Sequence, residues 1–217
     1  MPPDRPLNAA EAALRARIIS LLLSPSVQRI NFRLAKYRIS GFGFHVVIGL
    51  LRMNAVGVVI NPDVGSQAEA VYNNLDDNYY FPNGMYGMSL WEKMIIVHES
   101  VHAMIDAQGG GLYHRAIDNE AAAYVANALY VLNLTNSAPP GLDNSRRDKM
   151  IKLTFDVATR IRADRSPVPT VSQDDLTGLR ASVGRVYRKD FRPLTRDTAN
   201  GNVSPISILA PLYGYTK

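Results

Sequence analysis

The chain has 217 residues with no cysteine and a single tryptophan. The absence of cysteine excludes a disulfide scaffold, a thiolate nucleophile and any cysteine-ligated zinc or iron–sulfur site. A bound metal would therefore rest on His, Asp, Glu or carbonyl oxygen. No apolar run approaches the ~20 residues of a membrane helix, and the longest, Ile18–Leu23 and Val46–Leu51, fall well short. The N-terminus does not read as a secretory signal, because Glu11, Arg15 and Arg17 interrupt the first apolar stretch and no small-residue cleavage site follows. The expectation is a cytoplasmic protein, or one exported by a route without a Sec signal peptide. Apolar residues at 47% against 20% charged give the chain enough to bury a core.

The net charge of +5 is unevenly distributed. Seven basic residues and no acid lie between Arg15 and Arg52, nine acids face only Lys93 and Arg115 between Asp63 and Glu120, and a basic excess returns after Asp143. Nucleic-acid binding calls for basic residues clustered on one face with aromatics between them. Basic flanks around an acidic middle suit solvated helix faces better, and nucleic acid is not the expected partner.

No internal repeat or low-complexity tract is present. Asn8–Leu23 reads as a helix, with Asn8 and Glu11 spaced as a capping box before the stripe Leu14, Ile18, Leu21, Leu22. Arg29–Leu34 alternates like a half-buried strand. The β-branched runs Phe44–Leu51 and Ala55–Ile60 predict two more strands joined in a hairpin through Arg52–Asn54. Pro82-Asn83-Gly84 predicts a turn between short strands Tyr79–Phe81 and Met85–Gly87. Ser89 and Glu92 form a second capping box, opening a helix that ends at Gly109-Gly110-Gly111. Asp118 is placed as the cap of an alanine-rich helix reaching about Leu134, and Asp143–Arg162 and Ser172–Lys189 are further amphipathic helices. The chain reads as α+β, strands early and helices late. It is expected to form one domain over 1–197, with site helices at about 89–134, C-terminal helices at about 143–189 and an irregular tail at 198–217.

The chemistry concentrates in Val97-His98-Glu99-Ser100-Val101-His102, an HExxH motif inside a predicted helix. At 3.6 residues per turn the two imidazoles stack on one face and can reach one ion, while Glu99 is turned about 100° away and can hold a metal's water. With only four His and five Glu in the chain, chance would produce HExxH about once in six hundred such sequences. A third ligand must come from elsewhere. Ile105 and Gln108 stand where the metzincin pattern needs Gly and His, which excludes that family. Candidates are Glu120, His114, Asp118, Asp106 and His45. Glu120 lies in the first turn of the next helix, where Ala121, Ala122 and Ala123 allow close backbone approach. A first-turn acid complementing the helix dipole is the plain alternative for Glu120. His45 reads as a core histidine within a strand, Trp91 as core, and Tyr79, Tyr80 and Tyr86 as packing over the sheet or lining a cleft.

HExxH on one helix followed by a glutamate on the next resembles the gluzincin branch of zinc metallopeptidases, including compact single-domain members, over about Ser89–Tyr130. The resemblance implies a zincin-like core, a small twisted sheet with an edge strand that binds extended peptide, and the two site helices packed together. It makes His98, His102 and Glu120 ligands of Zn2+ and Glu99 the catalytic base. Asn119-Glu120 resembles the Asn-Glu pair of thermolysin-like enzymes. The acid those enzymes carry four residues after the ligand glutamate is replaced by Tyr124, which leaves the partner of a zinc-bound His among Asp118, Asp106 and backbone carbonyls. The family's Tyr or His oxyanion donor falls to His114 or Tyr124, with Tyr113 and Arg115 also near. The implied activity is zinc-dependent peptide hydrolysis, with a peptide or protein substrate extended along Ala55–Ile60 or Met85–Gly87. Two other classes compete: a zincin-fold regulatory or interaction protein with little catalysis, and a basic nucleic-acid binder with a metal-stabilised core. A hydrolase of other bonds also fits the motif.

Overall fold

The computed structural model describes residues 6–66, 70–109, 116–138 and 146–190. The first helix, α1 (Ala9–Leu22), carries the expected capping box: Asn8 Oδ1 accepts the Glu11 amide and Glu11 Oε2 accepts the Asn8 amide. Leu14, Ile18 and Leu22 form its buried stripe. Glu11 is fully buried because its second oxygen accepts the Ile60 amide at 3.3 Å, tying α1 to a distant strand. A short helix α2 (Pro25–Gln28) leads into β1 (Asn31–Leu34), which pairs antiparallel with β2 (Tyr37–Ser40). Phe32, Leu34 and Ile39 point inward from this hairpin.

The expected strand at Phe44–Leu51 is a helix, α3 (Gly41–Arg52), so the hairpin through Arg52–Asn54 does not form. Phe44, Val47, Ile48 and Leu51 lie at i, i+3, i+4, i+7 and are all buried, and Ser40 Oγ caps the first turn by accepting the Gly43 amide at 3.2 Å. Helical burial of that stripe outweighs the β-preference of its branched residues. Gly43 permits the close approach of the next long helix: a Cβ there would meet Met104 Sδ at 2.4 Å. His45 is accordingly exposed on α3 and not a core residue in a strand.

A three-stranded sheet follows, ordered β3-β5-β4. In it β3 (Gly57–Ile60) runs parallel to β5 (Asn78–Phe81), and β4 (Val71–Asn73) pairs antiparallel with β5. A 3-10 turn, Pro62–Ser66, leaves β3. Met85–Gly87, expected as a strand, is a turn. Arg17 Nη1 donates to the carbonyls of Gly84 and Tyr86, at 3.1 and 2.9 Å, and Gly87 takes φ +92. Those carbonyls go to a helix side chain and not to a neighbouring strand.

Four long helices complete the described chain: α4 (Leu90–Ala107), α5 (Ala116–Thr135), α6 (Arg146–Ala163) and α7 (Gln173–Asp190). The Ser89–Glu92 capping box opens α4, and Gly109, at φ +77, follows its end. Helix α5 starts at Ala116, two residues before Asp118, so Asp118 is a first-turn residue and not the cap. Helix α4 is central, touching α3, β2, β4 and, most extensively, α5, with α6 and α7 packed on α5. Ala121, Ala122, Ala123, Ala126 and Ala128 are all buried, which lets α5 pack closely along its neighbours. One continuous hydrophobic cluster runs from α1 to α7. The architecture is α+β, with two small sheets in place of one, and no described helix is long and apolar enough to cross a membrane. The tail at 198–217 lies outside the described residues.

Candidate metal centre

Two hydrogen bonds from the β4–β5 pair reach the HExxH helix. The Tyr79 hydroxyl of β5 donates to Ser100 Oγ at 3.2 Å, and Ser100 Oγ in turn donates to Ile96 O at 2.6 Å. The Tyr72 amide of β4 donates to Glu99 Oε2 at 2.8 Å. Glu99 is thus held from above by a strand while its own helix turns it toward the two histidines, and it is 2% exposed. One donor atom from each of His98, Glu99 and His102 lies within 4.8 Å of the other two.

Glu120 arrives from α5 and spans both imidazoles. Its Oε2 lies 3.2 Å from His98 Nε2, and its Oε1 lies 3.5 Å from His102 Nε2. Two donors held at 2.0–2.1 Å from one tetrahedral zinc are separated by about 3.3 Å, close to the spacing of each imidazole nitrogen from its own carboxylate oxygen. His98 Nε2 is buried and has no hydrogen-bond partner among the described residues. A buried, unsatisfied imidazole nitrogen costs free energy unless something takes its lone pair. Two imidazole nitrogens and a carboxylate match the donor preferences of zinc.

The partners that orient the histidines are amides. Asn119 Oδ1 lies 2.8 Å from His102 Nδ1, so the proton belongs on Nδ1 and the Nε2 lone pair faces Glu120. Asn127 Nδ2 lies 3.4 Å from His98 Nδ1, and Oδ1 of the same amide is buried with no hydrogen-bond partner among the described residues. Exchanging the two ends of that amide, which leaves its shape unchanged, lets Nδ1–H donate to Oδ1 and frees Nε2 as a ligand. Glu120, Tyr124 and Asn127 lie at 0, +4 and +7 on one stripe of α5. Tyr124 is buried and packs edge-on against His98, ring centroids 5.0 Å apart.

The other candidates serve elsewhere. Asp118 forms a bidentate ion pair with Arg180 of α7 at 2.6 and 2.7 Å, an interaction that raises the Arg180 pKa. Asp106 accepts the Tyr72 hydroxyl at 2.9 Å, and that hydroxyl also lies 3.0 Å from Asp77 Oδ1. Burial first, and then the charge of Asp77, push the Asp106 carboxyl above its ordinary pKa, against the lowering effect of the Tyr72 hydrogen bond. His45 is exposed on α3, and His114, Tyr113 and Arg115 lie outside the described residues. Sequence reasoning missed Asn127, Arg180 and strand β4. The one available signal was Asn127 as the only amide within the buried stretch from Tyr124 to Leu132.

Of the two outer strands of this sheet, β3 is partly closed, since Ile60 N–H is taken by Glu11. The strand beside the centre is β4, which the sequence did not suggest. A separate cleft of about 410 Å³, lined by Arg29, Asn31, Asn133 and Arg162 among others, sits at the far end of α5 from Glu120. Comparison with protein-family models, with curated proteins and with solved structures returns no match.

Proposed function

We propose that the chain is a zinc-dependent hydrolase of peptide bonds, of gluzincin type and zincin-like fold. The observation that carries this reading is the Glu120 carboxylate lying 3.2 and 3.5 Å from the two HExxH imidazoles. His98, His102 and Glu120 would hold the ion, leaving a fourth position for water and substrate. Zinc held by three protein ligands polarises a carbonyl and brings the pKa of its water to about 7. Glu99 is the base: it takes the proton of the attacking water and passes it to the leaving amine. Its Oε2 accepts the Tyr72 amide at 2.8 Å, which fixes the orientation of the carboxylate. Tyr124, against His98, and His114 are the side chains assigned to stabilise the developing oxyanion. The substrate is a peptide or protein lying extended beside β4.

An enzyme and a non-catalytic zincin-fold protein differ in what they require of Glu99. A purely structural zinc site is closed by a fourth protein ligand and needs no base. The test is digestion of an unbiased peptide library by wild type and Glu99→Gln, with zinc content measured in both. Gln is nearly isosteric and can hydrogen-bond but cannot accept a proton. Full zinc occupancy with turnover reduced at least ~10²–10⁴-fold is expected. Equal cleavage by the two proteins would refute the mechanism. Loss of zinc from the variant would make Glu99 a ligand.

A further inference from the structure

Strand β4 is tied to the HExxH helix twice through one residue. The Tyr72 amide donates to Glu99 Oε2 at 2.8 Å, and the Tyr72 hydroxyl lies 2.9 Å from Asp106 Oδ2. Glu99 and Asp106 are two turns apart on one face of α4, so Tyr72 runs along that face with both ends fixed. Its buried ring packs on Tyr79, centroids 5.3 Å apart, and the Tyr79 hydroxyl donates to Ser100. The Tyr72 hydroxyl also lies 3.0 Å from Asp77 Oδ1, so two carboxylates converge on a phenol with one proton to give. Burial first, and then the charge of Asp106, push the Tyr72 pKa up, so the phenol keeps that proton. Asp106, also shifted up by burial and then by its neighbour Asp77, is the group that takes a second one. Around this clasp the turn adds Asp76, whose Oδ2 accepts the Tyr80 hydroxyl of β5, and β2 adds Arg38, whose carbonyl accepts Gln108 Nε2. From α5, Asp118 is held by Arg180 and Glu120 by the imidazoles. Neither Arg38, nor His45 and Arg52 of α3, nor Arg15 and Arg17 of α1 forms an ion pair with Asp77 or Asp106 among the described residues.

We infer that Tyr72 is a positioning residue for Glu99, and that its grip depends on one proton shared between Asp77 and Asp106. With that proton, the Asp106 carboxyl donates to Asp77 and the phenol donates to a carboxylate oxygen, so every oxygen of the clasp is satisfied. Without it, two charges within about 6 Å of each other compete for a single donor. The hairpin then loosens, and the Tyr72 amide no longer fixes the Glu99 carboxylate. A carboxyl with a raised native pKa binds its proton more tightly folded than unfolded. The clasp is therefore complete below that pKa and weakens as pH rises through it. Asp77 stands at φ +55, a conformation Asn adopts as readily, so the turn itself does not require the charge. The clasp stands on its own geometry, whereas its effect on turnover rests on the reading of Glu99 as the base.

The experiment follows hydrogen exchange of the residue-72 amide in the full chain, corrected for the intrinsic rate, from about pH 5 to about pH 8. Protection in wild type should fall several-fold as pH rises. In Asp77→Asn it should stay level, because the new amide donates to Asp106 at every pH, and Asp106→Asn should level it too if the first variant does not fold. Tyr72→Phe, which keeps the ring and loses the hydroxyl, should lose protection several-fold at acid pH. Titration of Glu99 itself would persist in both Asn variants, so a pH dependence undiminished in them would overturn the shared proton. Full protection in Tyr72→Phe would overturn the clasp. On a cleaved peptide, Tyr72→Phe should lower kcat several-fold with KM little changed. Unchanged kcat despite lost protection would overturn the positioning role. A wild type that cleaves no peptide would end the peptidase reading, and with it the role on turnover, while the exchange profiles still decide the clasp.

Discussion

Asn127 is two helical turns beyond Glu120, and its amide lies 3.4 Å from His98 Nδ1. A carboxylate in that position would add negative charge beside the ion, whereas an amide fixes the tautomer without adding charge. Asn127→Ala removes the acceptor and leaves the His98 ring free to take either tautomer. Zinc affinity should then fall about 10–100-fold, measured by competition with a chromogenic chelator. Asn127→Asp should restore it. A merely structural role would not change the nitrogen NMR signature of His98, whereas the positioning role requires Nδ1–H in wild type and a mixed or reversed tautomer in Asn127→Ala. The HExxH pair and Glu120 were legible in the sequence because their spacing is a property of two helices. Asn127 and the Tyr72 amide were not, because each reaches its histidine or glutamate across 27 to 29 residues.

At the scale of elements, α1 and α4 were legible through their capping boxes and apolar stripes and α5 through its alanine-rich run, although its cap was misplaced at Asp118, and α3 was not legible. Its sequence, Gly-Phe-Gly-Phe-His-Val-Val-Ile-Gly-Leu-Leu-Arg, has the residue types of a strand and the spacing of a helix. What decides between them is burial of Phe44, Val47, Ile48 and Leu51 against distant parts of the chain, with Gly43 leaving room for Met104. Helix α5 shows the same dependence at its start. With Asp118 drawn into the ion pair with Arg180, the first turn that carries Asn119 and Glu120 is fastened to α7. Arg180→Ala would leave a carboxylate that is 8% exposed without its bidentate partner, offset in part by the helix dipole. A loss of about 1–3 kcal/mol is expected from urea unfolding. Zinc affinity should weaken in parallel, because Glu120 sits two residues further along the same turn. Unfolding that is unchanged within ~0.5 kcal/mol would mean α7 does not fix α5.

For the whole molecule, the centre joins two halves that otherwise meet mainly through α4 and α5. His98 and His102 belong to the helix that carries the sheet, and Glu120 to the helix that carries α6 and α7. An ion gripping all three ligands binds the folded chain and not the unfolded one, so it stabilises by mass action: about 2.7 kcal/mol at a free concentration one hundred times the dissociation constant. At 2–4 °C per kcal/mol for a chain of this size, the melting temperature of metal-stripped protein should rise by roughly 5–11 °C on adding zinc. The variants divide the possible ligand sets. If Glu120 completes the site, Glu120→Ala loses nearly all of that rise and Glu99→Gln keeps it. If the ion is held by His98, Glu99 and His102, whose donors also lie within 4.8 Å of one another, the two variants exchange behaviour. The first outcome is expected, because Glu99 Oε2 is already committed to the Tyr72 amide while Glu120 presents one oxygen to each imidazole. Scanning calorimetry of wild type and both variants, stripped and zinc-loaded, distinguishes the two sets in one series. A wild-type melting temperature indifferent to zinc would remove the metal from the molecule altogether.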